Sequence, residues 1–310
     1  MAIKISLEEK SRLKGEGFIP QRDGEHFVCR VITEDGNLNS SETKALSNIA
    51  EKYGKAYMSY TTRLTVEIPW ISYEDIINVK KELKAIGLEA GGTGARVRPV
   101  VSCKGTVCVF GILDTQKFAR KIHERFYKGY YNVRLPHKFK IGIGGCPNNC
   151  IKPDLNDLGM MGQKIPAYER ELCKGCKNCS VENICKRGAA KIIDGKIHID
   201  REKCINCGLC INNCHFNSIK CEKEGVKLFI GGKWGRTPRR GEMLEGIYSY
   251  NETMNIIEKT ILYYREKGNP KERFGDMVAR IGFEEVSKEI LKDDILKRKE
   301  EILNLDCYIK

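Results

Sequence analysis

The sequence lacks the features of a membrane-spanning or exported chain. No stretch approaches the roughly 20 uninterrupted apolar residues that a membrane helix needs. The first residues, MAIKISLEEKSRLKGEG, carry Glu8 and Glu9 where an export signal would be apolar. No GxGxxG turn follows a strand, so a nucleotide-binding motif for a nicotinamide or flavin cofactor is missing as well. We therefore expect a cytoplasmic protein without a membrane span.

Positive charge and cysteine are abundant instead. The 310 residues include 54 Lys and Arg against 41 Asp and Glu, which gives a net charge of +13. This balance favours an acidic partner, and nucleic acid, a polycarboxylate cofactor and a small anionic substrate all fit it. Fifteen cysteines in a cytoplasmic chain indicate metal binding rather than disulfides, because that compartment keeps thiols reduced.

The N-terminal part alternates strand and helix. HFVCRVIT (26–33) and TTRLTVEIP (61–69) alternate apolar and polar residues in the manner of strands. Ser41 and Ser72 are placed to cap the helix that follows each strand. The order predicts an α+β unit, which the turn-forming GGTG (91–94) separates from the rest of the chain.

Apolar periodicity and turn residues predict the later elements. A helix begins near Thr115, and the charged segment 284–304 is expected to be helical and solvated. Asp194-Gly195 is a strong signal for a hairpin. A helix that ends at GNP (268–270) is predicted to have one apolar face, made of Met254, Ile257, Ile261 and Tyr264.

Two cysteine clusters have the spacing of iron–sulfur ligands. Their patterns are C-x2-C-x2-C-x5-C and C-x2-C-x2-C-x3-C. Three closely spaced thiolates wrap one 4Fe–4S cube, and in two-cluster ferredoxins the fourth cysteine serves the other cube. Zinc sites instead use two separated C-x2-C pairs. We therefore group Cys173, Cys176 and Cys179 with Cys214, and Cys204, Cys207 and Cys210 with Cys185.

A third, more widely spaced quartet consists of Cys103, Cys108, Cys146 and Cys150. Four cysteines suffice for a third cube. The 37 residues between its two halves mean that this cube joins two loops across a folded domain. A cluster that only passes electrons at the protein surface does not need that arrangement, whereas a cluster coupled to an active site does.

The context of this quartet resembles the sulfite/nitrite reductase family, whose iron–sulfur and sirohaem signature ends in C-x3-C. The first pair here is C-x4-C, one residue shorter than the commonest form and similar to anaerobic sulfite reductase C subunits, which also carry a ferredoxin insert. Further segments that resemble the family are VCRV (28–31), TTR (61–63), RPVVSC (98–103), LPHKFK (135–140), GGKWGRTPRRGE (231–242) and ERFGDMVARIG (272–282).

The resemblance implies an α+β fold with three parts. A ferredoxin-like half-domain would occupy residues 1–92. A sirohaem and 4Fe–4S α/β domain would occupy residues 93–164 and 224–310. A bacterial two-cluster ferredoxin domain would be inserted at 165–223.

The resemblance also implies functional residues. Substrate binding would fall on Arg30, Arg98, Lys138 and Lys140. Cys150 would ligate the sirohaem iron as well as the cube. Cofactor binding would involve Arg63, and also Arg236 and Arg239, although the run that includes Arg240 could equally be a surface patch.

The residue types suit such chemistry. Lys138 and Lys140 share one face of a strand, as do Arg96 and Arg98, and we expect these four cations to converge near Cys150. Their convergence is costly unless an anion neutralises them. Sirohaem carries eight carboxylates and sulfite is an anion. Arginine grips an oxyanion, while lysine also delivers protons, which the six-electron reduction of sulfite to sulfide consumes.

Several alternatives and partners stay open. Nitrite is a close alternative substrate, and a haem-free electron carrier with three cubes also explains every clustered cysteine. A zinc protein that binds nucleic acid explains the charge but not the cysteine spacing. One copy of a unit that is duplicated in larger family members suggests a homodimer, and the electrons would come from a separate flavin or iron–sulfur protein. Cys29, Cys221 and Cys307 are interpreted as small buried hydrophobic residues.

Overall fold

The structure, a computed structural model, describes residues 5–305, and its N-terminal part is a four-stranded antiparallel sheet with helices. The strand order is β1-β2-β4-β3. Phe27, Cys29 and Val31 of the second strand point into the core, so Arg30 lies on the opposite face. The elements are α1 (Leu7–Gly15), β1 (Phe18–Pro20), β2 (Phe27–Val31), α2 (Ser40–Tyr53), β3 (Ser59–Tyr60), β4 (Val66–Ile71) and α3 (Ile76–Ala85).

The helix caps of this part differ from the predicted ones. Asn39, not Ser41, caps α2: its side chain accepts the Glu42 N–H at 2.9 Å, and the Glu42 carboxylate accepts the Asn39 N–H at 2.8 Å. That reciprocal pair is a capping box, which outcompetes a serine already inside the first turn. Ser72 bonds the Asp75 side chain rather than a backbone N–H group, so it does not cap α3.

A five-stranded mixed sheet organises the second part of the chain. Its order is β11-β10-β7-β6-β5, with β5, β6 and β7 parallel and the other pairs antiparallel. Helix α6 lies in the largest apolar core, and its predicted face of four residues is buried there. The elements are β5 (Val101–Ser102), α4 (Thr115–Ile122) continued by a π-helix (His123–Lys128), β6 (Ile141–Gly144), β7 (Leu158–Tyr168), β10 (Ile219–Ile230), β11 (Glu242–Met243), α6 (Tyr250–Lys267) and α7 (Phe274–Ile281), with short 3₁₀ turns at Gly105–Val107 and Pro153–Leu155.

Strands β7 and β10 extend beyond the sheet as a ribbon that carries the cysteine-rich segment. This segment contains a 3₁₀ turn (Arg170–Leu172), α5 (Ser180–Ile184), β8 (Ala190–Ile193) and β9 (Lys196–Ile199). The hairpin predicted at Asp194-Gly195 is confirmed, and both residues have the positive φ that its turn requires. The cysteine-rich segment has a small apolar core of its own, which includes Cys173, Val181, Ala190, Ile197, Ile211 and Ile219.

The charged tail is helical, but the expectation that it is simply solvated is wrong. It forms α8 (Phe283–Leu291), α9 (Asp294–Lys297) and α10 (Lys299–Asn304). Val286, Ile290, Ile295 and Ile302 are buried in the main core. Because apolar residues recur among the charges at helical spacing, each short helix presents one face to α6.

Arg265 of α6 fastens the end of this tail. Its guanidinium is 7% exposed and donates to the carbonyl oxygens of Ile302 at 2.9 Å, Leu303 at 3.0 Å, Leu305 at 2.6 Å and Arg134. Three of these acceptors lie at the C-terminal end of α10, where helix carbonyl groups run out of partners, and the Ile302 carbonyl also accepts the Leu305 N–H at 3.3 Å. None of the helices within residues 5–305 is long and apolar enough to cross a membrane.

We predict that Arg265→Met lowers the free energy of unfolding by about 2–4 kcal/mol, because it removes a buried guanidinium that bonds four carbonyl groups. Denaturant unfolding at neutral pH measures this loss. Arg280→Met removes an ion pair whose arginine is 42% exposed and should cost less than about 1 kcal/mol. Equal losses in the two variants would contradict the role given to Arg265.

Candidate functional site

The quartet of Cys103, Cys108, Cys146 and Cys150 is brought together at one end of the parallel strands. Cys103 follows β5 and Cys146 follows β6 after one glycine, and these strands are neighbours in register. The Gly145 N–H donates to the Cys103 sulfur at 3.1 Å. Burial raises the pKa of the Cys146 thiol, and the other three thiols of the quartet add to that rise.

Glycine makes this convergence of loops possible. A Cβ atom on Gly145 would lie 3.0 Å from the Cα atom of Gly105 and 3.4 Å from the Cys103 sulfur. A Cβ atom on Gly105 would lie 2.7 Å from the Thr115 side chain. Thr115 in turn donates its hydroxyl to the Cys103 carbonyl at 2.6 Å. The two cysteine loops therefore approach more closely than residues with side chains would permit.

A group of cations lies at the opposite end of the same strands. The Arg98 N–H donates to the Phe139 carbonyl at 2.8 Å, which sets Arg98 beside Lys138 and Lys140. Lys140 directly precedes β6, whereas Cys146 follows it. At about 3.3 Å per residue, the extended chain from Lys140 to Cys146 spans about 20 Å. The cations and Cys146 therefore lie at opposite ends of β6, and the convergence of the cations near Cys150 stays a prediction.

Arg63 reaches this group from the N-terminal part. Its guanidinium donates to the Asn156 side chain at 2.9 Å and to the Pro99 carbonyl at 2.6 Å. It thereby ties the turn before β4 to the second sheet. Burial lowers the pKa of Arg63 to about 10, and nearby Arg98 contributes to this. Arginine with such a pKa is still charged at neutral pH.

Arg98 and Arg30 complete the arginine part of the group, with different partners. Burial lowers the pKa of Arg98 to about 10, and Arg30 is the cation that adds most to this effect. Arg30 itself pairs with Glu67 at 2.7 Å. Arg96 is not part of the convergence, because its guanidinium lies over the Tyr131 ring, 4.5 Å from the centroid.

The two lysines of this group have lowered pKa values. Burial lowers the pKa of Lys140 to about 8, and Arg63, Lys138 and Arg273 add to the effect. Burial likewise lowers the pKa of Lys138. His137 between the motif's proline and Lys138 has its pKa lowered to about 4 by burial, and its Nδ1 accepts the Lys138 N–H at 2.7 Å. A lysine with a pKa near 8 is an effective acid at physiological pH.

Arg273 and Asp157 belong to the same group, although the sequence reasoning did not single them out. Arg273 donates to both Asp157 oxygens at 3.0 and 3.1 Å, and Asp157 is completely buried. Arg273 lies in the segment ERFGDMVARIG, whose resemblance to the family could have identified it as a site residue. Asp157 is seven residues beyond Cys150, and nothing in its spacing marks it.

Three guanidinium groups at this site have a donor that the protein leaves unused. The Nε–H groups of Arg63, Arg98 and Arg273 are buried and have no hydrogen-bond partner among residues 5–305. Buried donors are normally satisfied, since an unpaired one costs about 1–3 kcal/mol. Their shared location on converging cations indicates a binding site for an anion.

Arg236 and Arg239 do not join this group. Arg239 donates to the carbonyl oxygens of Gly231 at 3.1 Å and Gly275 at 3.0 Å and pairs with Glu242. These bonds hold the loop around residue 236 against α7. Arg236 itself is exposed. Their predicted contact with a cofactor stays a prediction.

The cysteine-rich segment brings its eight clustered cysteines into one small unit. Cys185 lines the same cavity as Cys204, Cys207 and Cys210. Burial raises the pKa of Cys210 to about 11, and the charges of the other three sulfurs add to the rise. Cys173, Cys179 and Cys214 pack around the small core, where the Ile197 N–H donates to the Cys173 sulfur at 3.4 Å, while Cys176 is exposed.

Within residues 5–305, no three His, Cys, Asp or Glu side chains are arranged to hold one single metal ion. A cube spreads four thiolates over four iron atoms, so it does not require them to meet at one point. Of the unclustered cysteines, Cys29 is buried as expected. Cys221 is exposed on the outer part of β10, so its burial was predicted wrongly, and Cys307 lies outside the described residues.

The lowered pKa of Lys140 predicts how stability depends on pH. Between pH 8 and the ordinary value of 10.5, the unfolded chain holds a proton on this lysine that the folded chain has released. The contribution of Lys140 to the stability of the cofactor-free protein should therefore rise with pH across that window. Denaturant unfolding at several pH values measures the slope.

In Lys140→Met this part of the slope should disappear. Lys128→Met is the matched control, because the Glu124 carboxylate raises the pKa of Lys128 instead. If Lys140→Met and the unmodified protein have the same slope, Lys140 does not have a lowered pKa.

Comparison with known proteins agrees with this architecture. Residues 93–299 match the family model of the nitrite and sulphite reductase 4Fe-4S domain, and residues 19–86 match the nitrite/sulfite reductase ferredoxin-like half domain. An uncharacterised protein of Methanocaldococcus jannaschii is 33% identical over 269 residues, which cover 86% of this chain and 92% of that protein.

Two further relatives extend the comparison. A coenzyme F420-dependent sulfite reductase of the same organism is 33% identical over 90% of this chain, but the chain spans only 45% of that enzyme. The crystal structure of dissimilatory sulfite reductase I superimposes with a TM-score of 0.69 at 19% identity, covering 86% of this chain and 69% of that one. That structure shows the same fold.

The cysteine quartet lies in the region that matches the 4Fe-4S domain, and Arg30 and Arg63 lie in the region that matches the half domain. The two matches together span most of the described chain. The protein is therefore a member of the nitrite and sulfite reductase family.

Proposed function

We propose that the protein is a sirohaem-dependent reductase of the anaerobic or dissimilatory type, which reduces sulfite to sulfide with six electrons. The observation that carries this proposal is the anion site formed by Arg63, Arg98, Lys138, Lys140 and Arg273. Its three buried Nε–H groups without a partner fit an anionic ligand. Both sulfite and the carboxylates of sirohaem are such ligands, and nitrite is the alternative substrate.

The residues present fit the implied cofactors. Cys103, Cys108 and Cys150 lie near Cys146, and the four would supply the thiolates for a cube, with Cys150 as the residue that would also hold sirohaem. When bound, sirohaem and this cube would supply the redox chemistry at the substrate. The basic groups at the other end of β6 suit the eight carboxylates and the substrate anion.

The chain's own side chains have distinct roles in this proposal. Arg63 and Arg98 bind and orient the anion, because a guanidinium offers several donors in a fixed plane. Lys140 and Lys138 donate protons, and burial tunes the pKa of Lys140 to about 8. Arg30 adds positive charge at the edge of the site while Glu67 holds it in place.

Residues 165–223 are proposed to be an inserted ferredoxin domain with two further cubes, for three in total. The cavity shared by Cys185 and the second cysteine motif supports the exchange of the fourth ligand between motifs. Residues 1–92 would form the half-domain, and 93–164 with 224–310 the catalytic domain. The insert would accept electrons from a separate flavin or iron–sulfur protein.

The first test is turnover of sulfite with an artificial reductant. We predict that Lys140→Gln lowers kcat by about 10²- to 10³-fold, because it removes a proton donor at the substrate. The content of sirohaem and iron should not change. Lys128→Gln is the control, since Lys128 lies on the surface in an ion pair with Glu124. Undiminished turnover in Lys140→Gln would exclude this lysine as the donor.

A second copy of the chain is proposed to complete the site. The cations of one chain precede β6 and Cys146 follows it, so the two groups lie at opposite ends of this strand. In a two-fold dimer, the cations of one copy can face the quartet of the other. Each dimer would then contain two shared sites.

Mixed dimers test this arrangement directly. One chain carries Lys140→Gln and the other Cys150→Ser, with a different affinity tag on each. If sites are shared, one site of the mixed dimer combines intact cations with an intact quartet. Turnover should then return to about half of the wild-type value per dimer.

The same experiment has two contradicting outcomes. Mixed dimers that form but stay inactive would mean that the cations and cysteines of one chain serve the same site. A monomer with full sirohaem content and full turnover would exclude any need for a second copy.

A further inference from the structure

Asp157 holds the backbone of Lys140 from two directions. Its carboxylate accepts the Lys140 N–H at 2.8 Å, and the next residue, Leu158, donates its N–H to the Lys140 carbonyl at 3.0 Å. The other bonds of the carboxylate come from Arg273. Both polar groups of the Lys140 backbone are therefore fixed at the point where β6 begins.

The charges that face Lys140 come from three parts of the fold. Arg63 approaches from the turn before β4, Lys138 lies two residues earlier in the chain, and Arg273 precedes α7. Asp157 is the nearby carboxylate that favours the charged form of Lys140, and it acts in the same way on Lys138 and Arg63. Burial raises the pKa of Asp157 itself, and Arg273 and the Lys140 N–H oppose this rise.

We propose that Asp157 and Arg273 are positioning residues of this site: Asp157 aims Lys140 at the substrate through its backbone, and Arg273 holds Asp157. This inference rests on the proposed function. Asp157 does not need to touch the substrate, and the positioning role of Arg273, which also belongs to the anion site, lies in its bonds to Asp157. Arg273 pins the carboxylate with bonds to both oxygens, so Asp157 cannot turn away from the Lys140 N–H.

A merely structural role and a positioning role predict different kinetics. Asp157→Asn removes the one negative charge that faces several cations, so electrostatics alone should keep or strengthen the binding of sulfite. Misplacing Lys140 instead weakens proton delivery. The variant should therefore lower kcat by about 10- to 100-fold while the KM for sulfite stays the same or falls.

The pH profile gives a second, independent readout. Without the Asp157 charge, Lys140 loses its proton at lower pH, so the alkaline limb of kcat should move towards acid. In the cofactor-free protein, the rise of stability with pH should also begin at lower pH than in the wild type. If Asp157 only fills space, its replacement should shift neither the pH profile of kcat nor the pH dependence of stability.

Arg273 provides a variant that keeps the test informative if Asp157→Asn fails to fold. Arg273→Gln should reproduce the loss of kcat, and Arg273→Lys should restore part of it by keeping the charge beside Asp157. Glu272→Gln is the matched control, because Glu272 precedes Arg273 in the chain but pairs outward with Arg280. It should leave kcat and the pH profile unchanged.

The outcomes distinguish a failure of the proposed function from a failure of the positioning role of Asp157 and Arg273. Wild-type protein that lacks sirohaem and sulfite turnover contradicts the proposed function. Wild-type turnover with an unmoved alkaline limb in both Asp157→Asn and Arg273→Gln contradicts the positioning role alone. A loss of kcat in Arg273→Gln that matches Arg273→Lys would likewise overturn it, since charge beside Asp157 would then not matter.

Discussion

The buried positive charge at the start of β6 is the constraint on which the rest of the structure depends. Arg63, Arg98, Lys138, Lys140 and Arg273 are held within reach of one another, and burial lowers the pKa of four of them. Such a group is destabilising without a counter-charge. Asp157 supplies one negative charge from inside the protein. An anionic ligand would neutralise the positive charge that remains. Without an anionic ligand, this uncompensated charge lowers the folding stability of the protein.

The strands of the second sheet separate two kinds of chemistry. The carboxyl ends of β5 and β6 carry cysteine loops that glycine allows to approach closely, while the opposite ends carry cations. The half-domain contributes Arg63 and Arg30 to the cationic end. One chain thus presents a cysteine-rich end and a cationic end of the same strands.

Much of this was accessible from the sequence, and the exceptions have physical reasons. Cysteine spacing and the segment LPHKFK report ligands and cations that are close in sequence. Asp157 and Arg273 are 116 residues apart and meet only because α7 packs beside the start of β7. A pattern of residues does not show that β6 lies between the cations and Cys146, and the convergence of cations and cysteines stays a prediction. The tail was predicted to be solvated because charged residues dominate its sequence. The apolar residues among them, about one in each turn, are buried.

The central claim is that this chain carries sirohaem. The most direct measurement is the absorption spectrum of protein purified without oxygen from a host that makes sirohaem, followed by acid extraction of the chromophore and its identification by mass. The account predicts that sirohaem is extracted together with iron and acid-labile sulfide. Iron and sulfide without any tetrapyrrole would contradict it and would mean that the quartet near Cys150 holds only a cube.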